Sequence, residues 1–295
     1  RVADIMKSAL AAKTVVPAFN VPYLPMMEPI VAALRETKSF GLIAVARLEW
    51  TKFEAGGVKA IYEEYKRVGD PVYTRLHLDH VPVIDEDDLV VDYRSIIEEA
   101  LSLGYHSVMV DGSRLSLDEN IEATRSIVSS AHKLGVPVEA ELGSVLGHEE
   151  GPTPPYEELF RSGRGFTEPD DAARFVSETG VDWLSVAVGS IHGAVSKARR
   201  SEEKVHARLN IERLSEISEK IGVPIVLHGG SGIPKSYVLD GVRHGITKIN
   251  IGTAVRQVYE RAESAQSARA AVYDEVVRIL TEDLEVAGTT SSLIS

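Results

Sequence analysis

The chain has 295 residues, 32 Lys plus Arg against 44 Asp plus Glu, a formal charge of −12 and no cysteine. That length suits a single α/β barrel, and the acidic balance argues against nucleic acid or an anionic membrane as partner, since the one basic stretch, SKARR at 196–200, is diluted at once by EEK. Without cysteine there is no disulfide framework and no thiolate ligand or nucleophile, and the opening RVADIMKSALAAK is amphipathic rather than continuously apolar, so a soluble, cytoplasmic protein is expected.

Eight short apolar runs rich in β-branched residues recur along the chain, each followed by a helix-like stretch. They are 14–19 (TVVPAF), 41–46 (GLIAVA), 72–78 (VYTRLHL), 105–110 (YHSVMV), 136–142 (VPVEAEL), 182–188 (DWLSVAV), 223–228 (VPIVLH) and 246–251 (ITKINI). The intervening MMEPIVAALRETKS, IEATRSIVSSAHKLG and IERLSEISEKIG carry helical periodicity, and a closing glycine marks a helix stop. Eight βα units predict a closed parallel (β/α)8 TIM barrel, one domain over 1–295 with 261–295 as a helical extension. That extension is expected outside the barrel, where it is free to meet a neighbouring subunit. Two connectors exceed what a turn needs, 81–92 (VPVIDEDDLVVD) and 144–167 (SVLGHEEGPTPPYEELFRSGRGFT), and long loops on the C-terminal face of a barrel usually serve as lids or substrate contacts.

All strand C-termini of such a barrel open on one face. The residues closing the runs are Asn20, Asp79 with His80, Asp111, Glu141, His192, His228 and Asn250. Three histidines at the ends of strands three, six and seven, with carboxylates between them, suit a divalent metal, which needs three or four converging nitrogen or oxygen ligands. Asp79 beside His80 adds a carboxylate placed for acid/base work. LHGGSG after strand seven and NIGT after strand eight present backbone N–H groups and hydroxyls where this fold commonly binds phosphate, although either loop alone reads equally well as a tight turn. Asp111 in MVDGS can serve the metal or cap a helix, and Glu141 can orient a histidine. Glu149 and Glu150 stand in the long Gly/Pro loop, solvated unless that loop closes over substrate and brings one in as a proton donor. His77, His106, His132, His148, His206 and His244 lack such context and read as structural or surface residues, His77 least clearly because it shares a strand face with Asp79.

The motifs VVPAFNV (15–21), HLDH, SVMVDGS (107–113), PVEAELG (137–143), VAVGSIHGA (186–194), VLHGGSG (226–232) and KINIGT (248–253) resemble the class II, metal-dependent ketose-bisphosphate aldolases, the family of fructose- and tagatose-bisphosphate aldolases. The resemblance spans nearly the whole barrel. It implies His80, His192 and His228 as zinc ligands, with Co²⁺ or Fe²⁺ also acceptable and a monovalent cation as a further cofactor. Asp79 then handles the proton at the aldehyde-derived oxygen and Glu149 the proton at the ketone-phosphate carbon, with Asp111 and Glu141 as secondary carboxylates near the metal. Gly193, Gly229, Ser231 and Thr253 match the pocket for the phosphate of dihydroxyacetone phosphate, Asn250 a contact to its reacting oxygens, and Asn20 joins this substrate-binding set. The implied reaction is aldol cleavage or condensation through an enediolate stabilised by zinc.

The chain also departs from the pattern. Leu48 stands where the family commonly has a phosphate-binding serine, and a leucine donates no hydrogen bond. Ser196, with Lys197 one place later, replaces a family lysine, and Gly252 replaces the fructose-type aspartate. The acidic loop DHVPVIDEDDLVVD replaces a compact turn on the aldehyde side, where its charge would repel phosphate. Arg256 matches an arginine that in the family reaches the neighbouring subunit's far phosphate, and with the family it implies a homodimer or homotetramer. Fructose 1,6-bisphosphate is the default substrate, in carbohydrate metabolism of the glycolytic kind. The alternatives are tagatose 1,6-bisphosphate, a sugar-acid phosphate whose aldehyde product lacks phosphate, a phosphate-binding isomerase, or a barrel that binds sugar phosphate without turnover.

Overall fold

The computed structural model describes residues 1–143, 156–190, 207–230 and 233–294. Eight parallel strands close into a barrel in sequence order: β1 (Val16–Asn20), β2 (Gly41–Val45), β3 (Thr74–Leu78), β4 (Ser107–Val110), β5 (Val138–Leu142), β6 (Trp183–Val186), β7 (Ile225–Leu227) and β8 (Ile246–Ile251). β1 also pairs with β8, with Ala18 opposite Asn250, which seals the cylinder. All eight expected strands are present; β8 has the expected bounds, β1 runs one residue further to Asn20, and the others are shorter than their apolar runs by up to two residues at an end because the runs extend into the turns on either side.

These segments are strands because their β-branched and aromatic residues are covered on both sides, by the barrel interior and by the helical ring. Nearly every strand position is buried; the partial exceptions are Arg75 near the β3 start and Leu142 at the β5 end. The helices bury one stripe each. Leu117–Lys133 places Ile121, Thr124, Ile127, Val128 and Ala131 inward at three- and four-residue spacing, and it starts at a capping box between Ser116 and Glu119. Ile211–Ile221 stops at Gly222, whose φ of 64° is the left-handed conformation that ends a helix cheaply only with glycine.

After β8 comes Thr253–Arg261, then Ala265–Arg278, a π-helical turn Ile279–Asp283 and a short helix Thr290–Leu293. Ala265–Arg278 packs against Met27–Glu36 and Thr253–Arg261 of the same chain, burying Ala268, Val272 and Val276. Among the described residues no helix is long and apolar enough to cross a membrane.

Candidate active site

Side chains two residues apart on a strand share a face. In β3 and its exit this places His77 with Asp79, in β5 Glu139 with Glu141, in β8 Lys248 with Asn250. Each of these three strands therefore contributes an upper and a lower polar group to the barrel interior, and all six are buried.

The upper level is centred on Asp79, 1% exposed. Asn20 Nδ2 donates to its Oδ2 at 2.9 Å, and Asn250 Nδ2 lies 2.9 and 2.8 Å from Oδ1 and Oδ2. Burial alone would protonate this acid, but His80, Lys248 and His77 outweigh it and hold the carboxyl well below its ordinary range. Asp79 is thus an oriented, ionised proton acceptor. Asn250 spends its amide N–H on Asp79 and leaves its buried Oδ1 with no hydrogen-bond partner among the described residues. An unsatisfied buried acceptor beside an ionised carboxylate is suited to a substrate hydroxyl.

His80 and His228 meet edge to face, with centroids 4.3 Å apart, and His228 Nδ1 is in hydrogen-bond contact with His80 Nε2. His80 Nδ1 lies 3.0 Å from Asp111 Oδ2, and Asp111 Oδ1 accepts from the Ser113 hydroxyl and N–H at 2.6 and 3.0 Å. Asp111 therefore closes its own turn and also orients a histidine, while the helix that follows is capped by Ser116 and not by Asp111. Burial opposes a charge on His80, but Asp79, Asp111 and Glu141 raise it to about 10. Burial, with the charge on His80, lowers His228 to about 4. Of the adjacent carboxyls, Asp111 is held at about 2, the contacts to His80 and Ser113 overcoming burial, while burial and Asp111 push Glu141 up to about 8. The proton on His80 occupies a place where the surrounding carboxylates demand positive charge. Among the described residues, three groupings put single ligand atoms within 4.8 Å of one another: Asp79, His80 and His228; His77, Asp79 and Glu139; His80, Asp111 and Glu141. Two imidazole nitrogens with a carboxylate oxygen suit a borderline divalent ion, so these residues fit a metal.

The lower level holds residues that reading the strand ends did not find. Lys248 Nζ donates to both oxygens of Glu139 at 3.0 and 2.8 Å and lies 3.3 Å from His77 Nε2. Trp183 Nε1 donates to Glu139 Oε2 at 2.6 Å, and His228 Nε2 lies 2.9 Å from Glu139 Oε1. A lysine inside the apolar run ITKINI was the available signal for this level, since a buried lysine requires a partner. His77 belongs to this level too, whereas His106 receives the Leu76 N–H, His132 pairs with Asp182 and His244 with Asp240, as structural residues do.

Glu49 was also missed. Its side chain reaches back to the N–H of Ala46 at 2.8 Å, as a third-position glutamate does at a helix start, yet it is 7% exposed and near Asp79. Leu48, in the same short helix Arg47–Thr51, offers no donor.

Gly229, with φ of 66°, and Thr253, which opens the helix after β8, lie on the same C-terminal face as the histidines. His192, Gly193, Ser196, Lys197, Ser231, Glu149 and Glu150 lie outside the described residues. Arg256 is buried within its own chain, with Nη1 2.7 Å from Glu260 and the guanidinium 5.3 Å over the Phe53 ring. Gly252 has ordinary backbone geometry, and a Cβ there would meet only Asn20, at 3.4 Å, so the backbone does not require glycine.

The acidic loop after His80 is an ordered hairpin. Ile84 bridges Val90, and the Val83 N–H donates to the Asp111 carbonyl at 2.9 Å. Its acids face cations: Asp85 meets Arg47 at 3.0 Å, Asp87 meets Lys52 and Asp88 meets Arg114. The loop therefore repels phosphate less than its acid count suggests, but it also engages the two basic side chains nearest the end of β2.

Residues 1–288 match the family described as fructose-bisphosphate aldolase class-II. The chain belongs to that family. It is a carbon–carbon lyase of the aldolase type, and class II aldolases depend on a metal, for which the histidine and carboxylate groupings provide ligands. Among solved structures, the YdjI aldolase of Escherichia coli K12 is 26% identical, with a TM-score of 0.76 and 98% of each chain covered. A candidate fructose-1,6-biphosphate aldolase from Coccidioides immitis is also 26% identical, TM-score 0.74, covering 97% of this chain and 96% of that one. The fructose-bisphosphate aldolase of Campylobacter jejuni shares the fold at 21% identity, TM-score 0.71, over 97% and 95%.

Proposed function

We propose that this enzyme cleaves and forms a ketose phosphate, with dihydroxyacetone phosphate as one product, using a divalent metal held by His80, His228 and, outside the described residues, His192. The reading is carried by the convergence of His80 Nε2 and His228 Nδ1 beside an ionised Asp79 that two asparagines orient. A bound Zn²⁺, Co²⁺ or Fe²⁺ supplies Lewis acidity toward a ketone oxygen, lowering the barrier to breaking the adjacent carbon–carbon bond. Asp79 takes the proton of the substrate hydroxyl as the aldehyde leaves, and Asn250 receives a substrate hydroxyl at its free Oδ1 while its N–H keeps Asp79 in place. Gly229 and Thr253, with Gly193 and Ser231, bind the phosphate of the three-carbon product. Glu149 serves the proton at the ketone-phosphate carbon, and Asp111 and Glu141 set the orientation and charge of His80.

Fructose 1,6-bisphosphate is the first substrate to test. A second reading, a sugar-acid phosphate whose aldehyde carries no phosphate, is favoured by the capture of Arg47 by Asp85 and of Lys52 by Asp87; tagatose 1,6-bisphosphate, which gives the same phosphorylated aldehyde as its fructose epimer, is tested beside fructose 1,6-bisphosphate. Release of dihydroxyacetone phosphate, scored across a panel of both kinds, decides between them. Chelation should abolish turnover and Zn²⁺ restore it; turnover that survives chelation and is trapped by borohydride would replace the metal by a lysine Schiff base.

A further inference from the structure

Beyond the positive charge it lends to Asp79, the lower polar level has no part in the chemistry assigned above, yet it is fully buried: His77, Glu139 and Lys248 are each 0% exposed and Trp183 is 1% exposed. An interior ion pair of this kind is weak as a stabilising device, because desolvation offsets most of the attraction and well-packed apolar side chains serve stability equally well. Its hydrogen bonds, in contrast, constrain the proton that Glu139 shares with His228. An ammonium group donates and never accepts, and an ionised carboxylate accepts and never donates.

Lys248 contacts both Glu139 oxygens and His77 Nε2. His77 Nε2 also lies 3.4 Å from Glu139 Oε2, and His77 Nδ1 is 2.9 Å from Ser107 Oγ. Glu139, flanked by the lysine and by Trp183 Nε1–H, is an acceptor at both oxygens, so the proton shared with His228 at 2.9 Å sits on His228 Nε2. His228 Nδ1 is then the unprotonated nitrogen, and it is this one that contacts His80 Nε2.

We propose that Glu139, held by Lys248 and Trp183, is a positioning residue that fixes His228 in the Nε2–H tautomer and so presents Nδ1 to the metal. The proposal rests on the metal-dependent reading above and deepens it. Partners behind a metal-ligating histidine typically change metal affinity by about 10- to 100-fold when removed. Glu139→Gln places an amide NH₂ among three donors. Turned toward His228 it donates to Nε2 and drives the proton onto Nδ1, the nitrogen the metal needs.

Two measurements test this. Long-range ¹⁵N–¹H spectra of the metal-free wild-type protein should show His228 as the Nε2–H tautomer; an Nδ1–H tautomer overturns the proposal, whatever the variant does. Chelator competition with Co²⁺ should show E139Q binding about 10- to 100-fold more weakly than wild type with an altered visible spectrum. Equal affinity and an unchanged spectrum in the folded variant overturn the positioning role. No saturable Co²⁺ binding by the wild type would instead remove the metal reading itself, so the two failures are distinct.

Discussion

Glu49 offers a quantitative test of the electrostatics at the barrel mouth. Burial pushes its carboxyl from 4.5 up to about 8, against the Ala46 N–H and with help from the charge on Asp79. Below pH 4.5 the group is protonated in both the folded and the unfolded chain and makes no difference to stability. Between 4.5 and about 8 the unfolded chain gives up the proton and the folded chain retains it, so the folded state loses stability steadily through that window. At about 1.4 kcal/mol for each unit of pH, the accumulated cost is roughly 5 kcal/mol at pH 8. Glu49→Gln removes the titration, and the new amide keeps an oxygen for the Ala46 N–H. Urea unfolding of both proteins across the window should show the variant gaining stability over wild type as pH rises, by an amount of that order. Parallel stability curves for the two proteins would refute the argument, because they would mean that Glu49 ionises as freely inside the fold as outside it.

Asn250→Ala removes the donor that contacts both Asp79 oxygens and leaves Asn20 alone to hold the carboxylate; kcat should fall about 100-fold, as misplacement of a reacting group typically costs, while the thermal unfolding midpoint shifts little. Gly112→Ala places a Cβ 2.2 Å from Asn120 Oδ1, and Asn120 is buried with its Nδ2 on the Glu141 carbonyl, so the variant should lose about 1–3 kcal/mol in denaturant titration. Asp85→Ala releases Arg47 from its ion pair at 3.0 Å, and kcat/KM should rise for substrates yielding a phosphorylated aldehyde relative to those yielding an unphosphorylated one. An unchanged ratio would mean that Arg47 does not reach the aldehyde side.

What was legible in the chain was whatever depends on local pattern. The eight apolar runs became eight strands because burial on both faces demands them, and His80, Asp79 and His228 were found because they close those runs. Glu139 and Lys248 lay in plain view within PVEAELG and KINIGT, but attention to closing residues treats the barrel mouth as a single polar level. The period of two in β5 and β8 puts a second level beneath the first, and there the lysine supplies the positive charge that lets Glu139 and Asp79 stay ionised without solvent. The charge of the 81–92 loop was misread for a related reason: Asp85, Asp87 and Asp88 find their cations at Arg47, Lys52 and Arg114, all outside the segment in which the acids were counted. In both places the error is one of charge balance, which is a property of folded neighbours and not of neighbours in the chain. Residues that only compensate charge therefore leave a weak mark on the sequence, even where they determine which nitrogen of a histidine faces the metal.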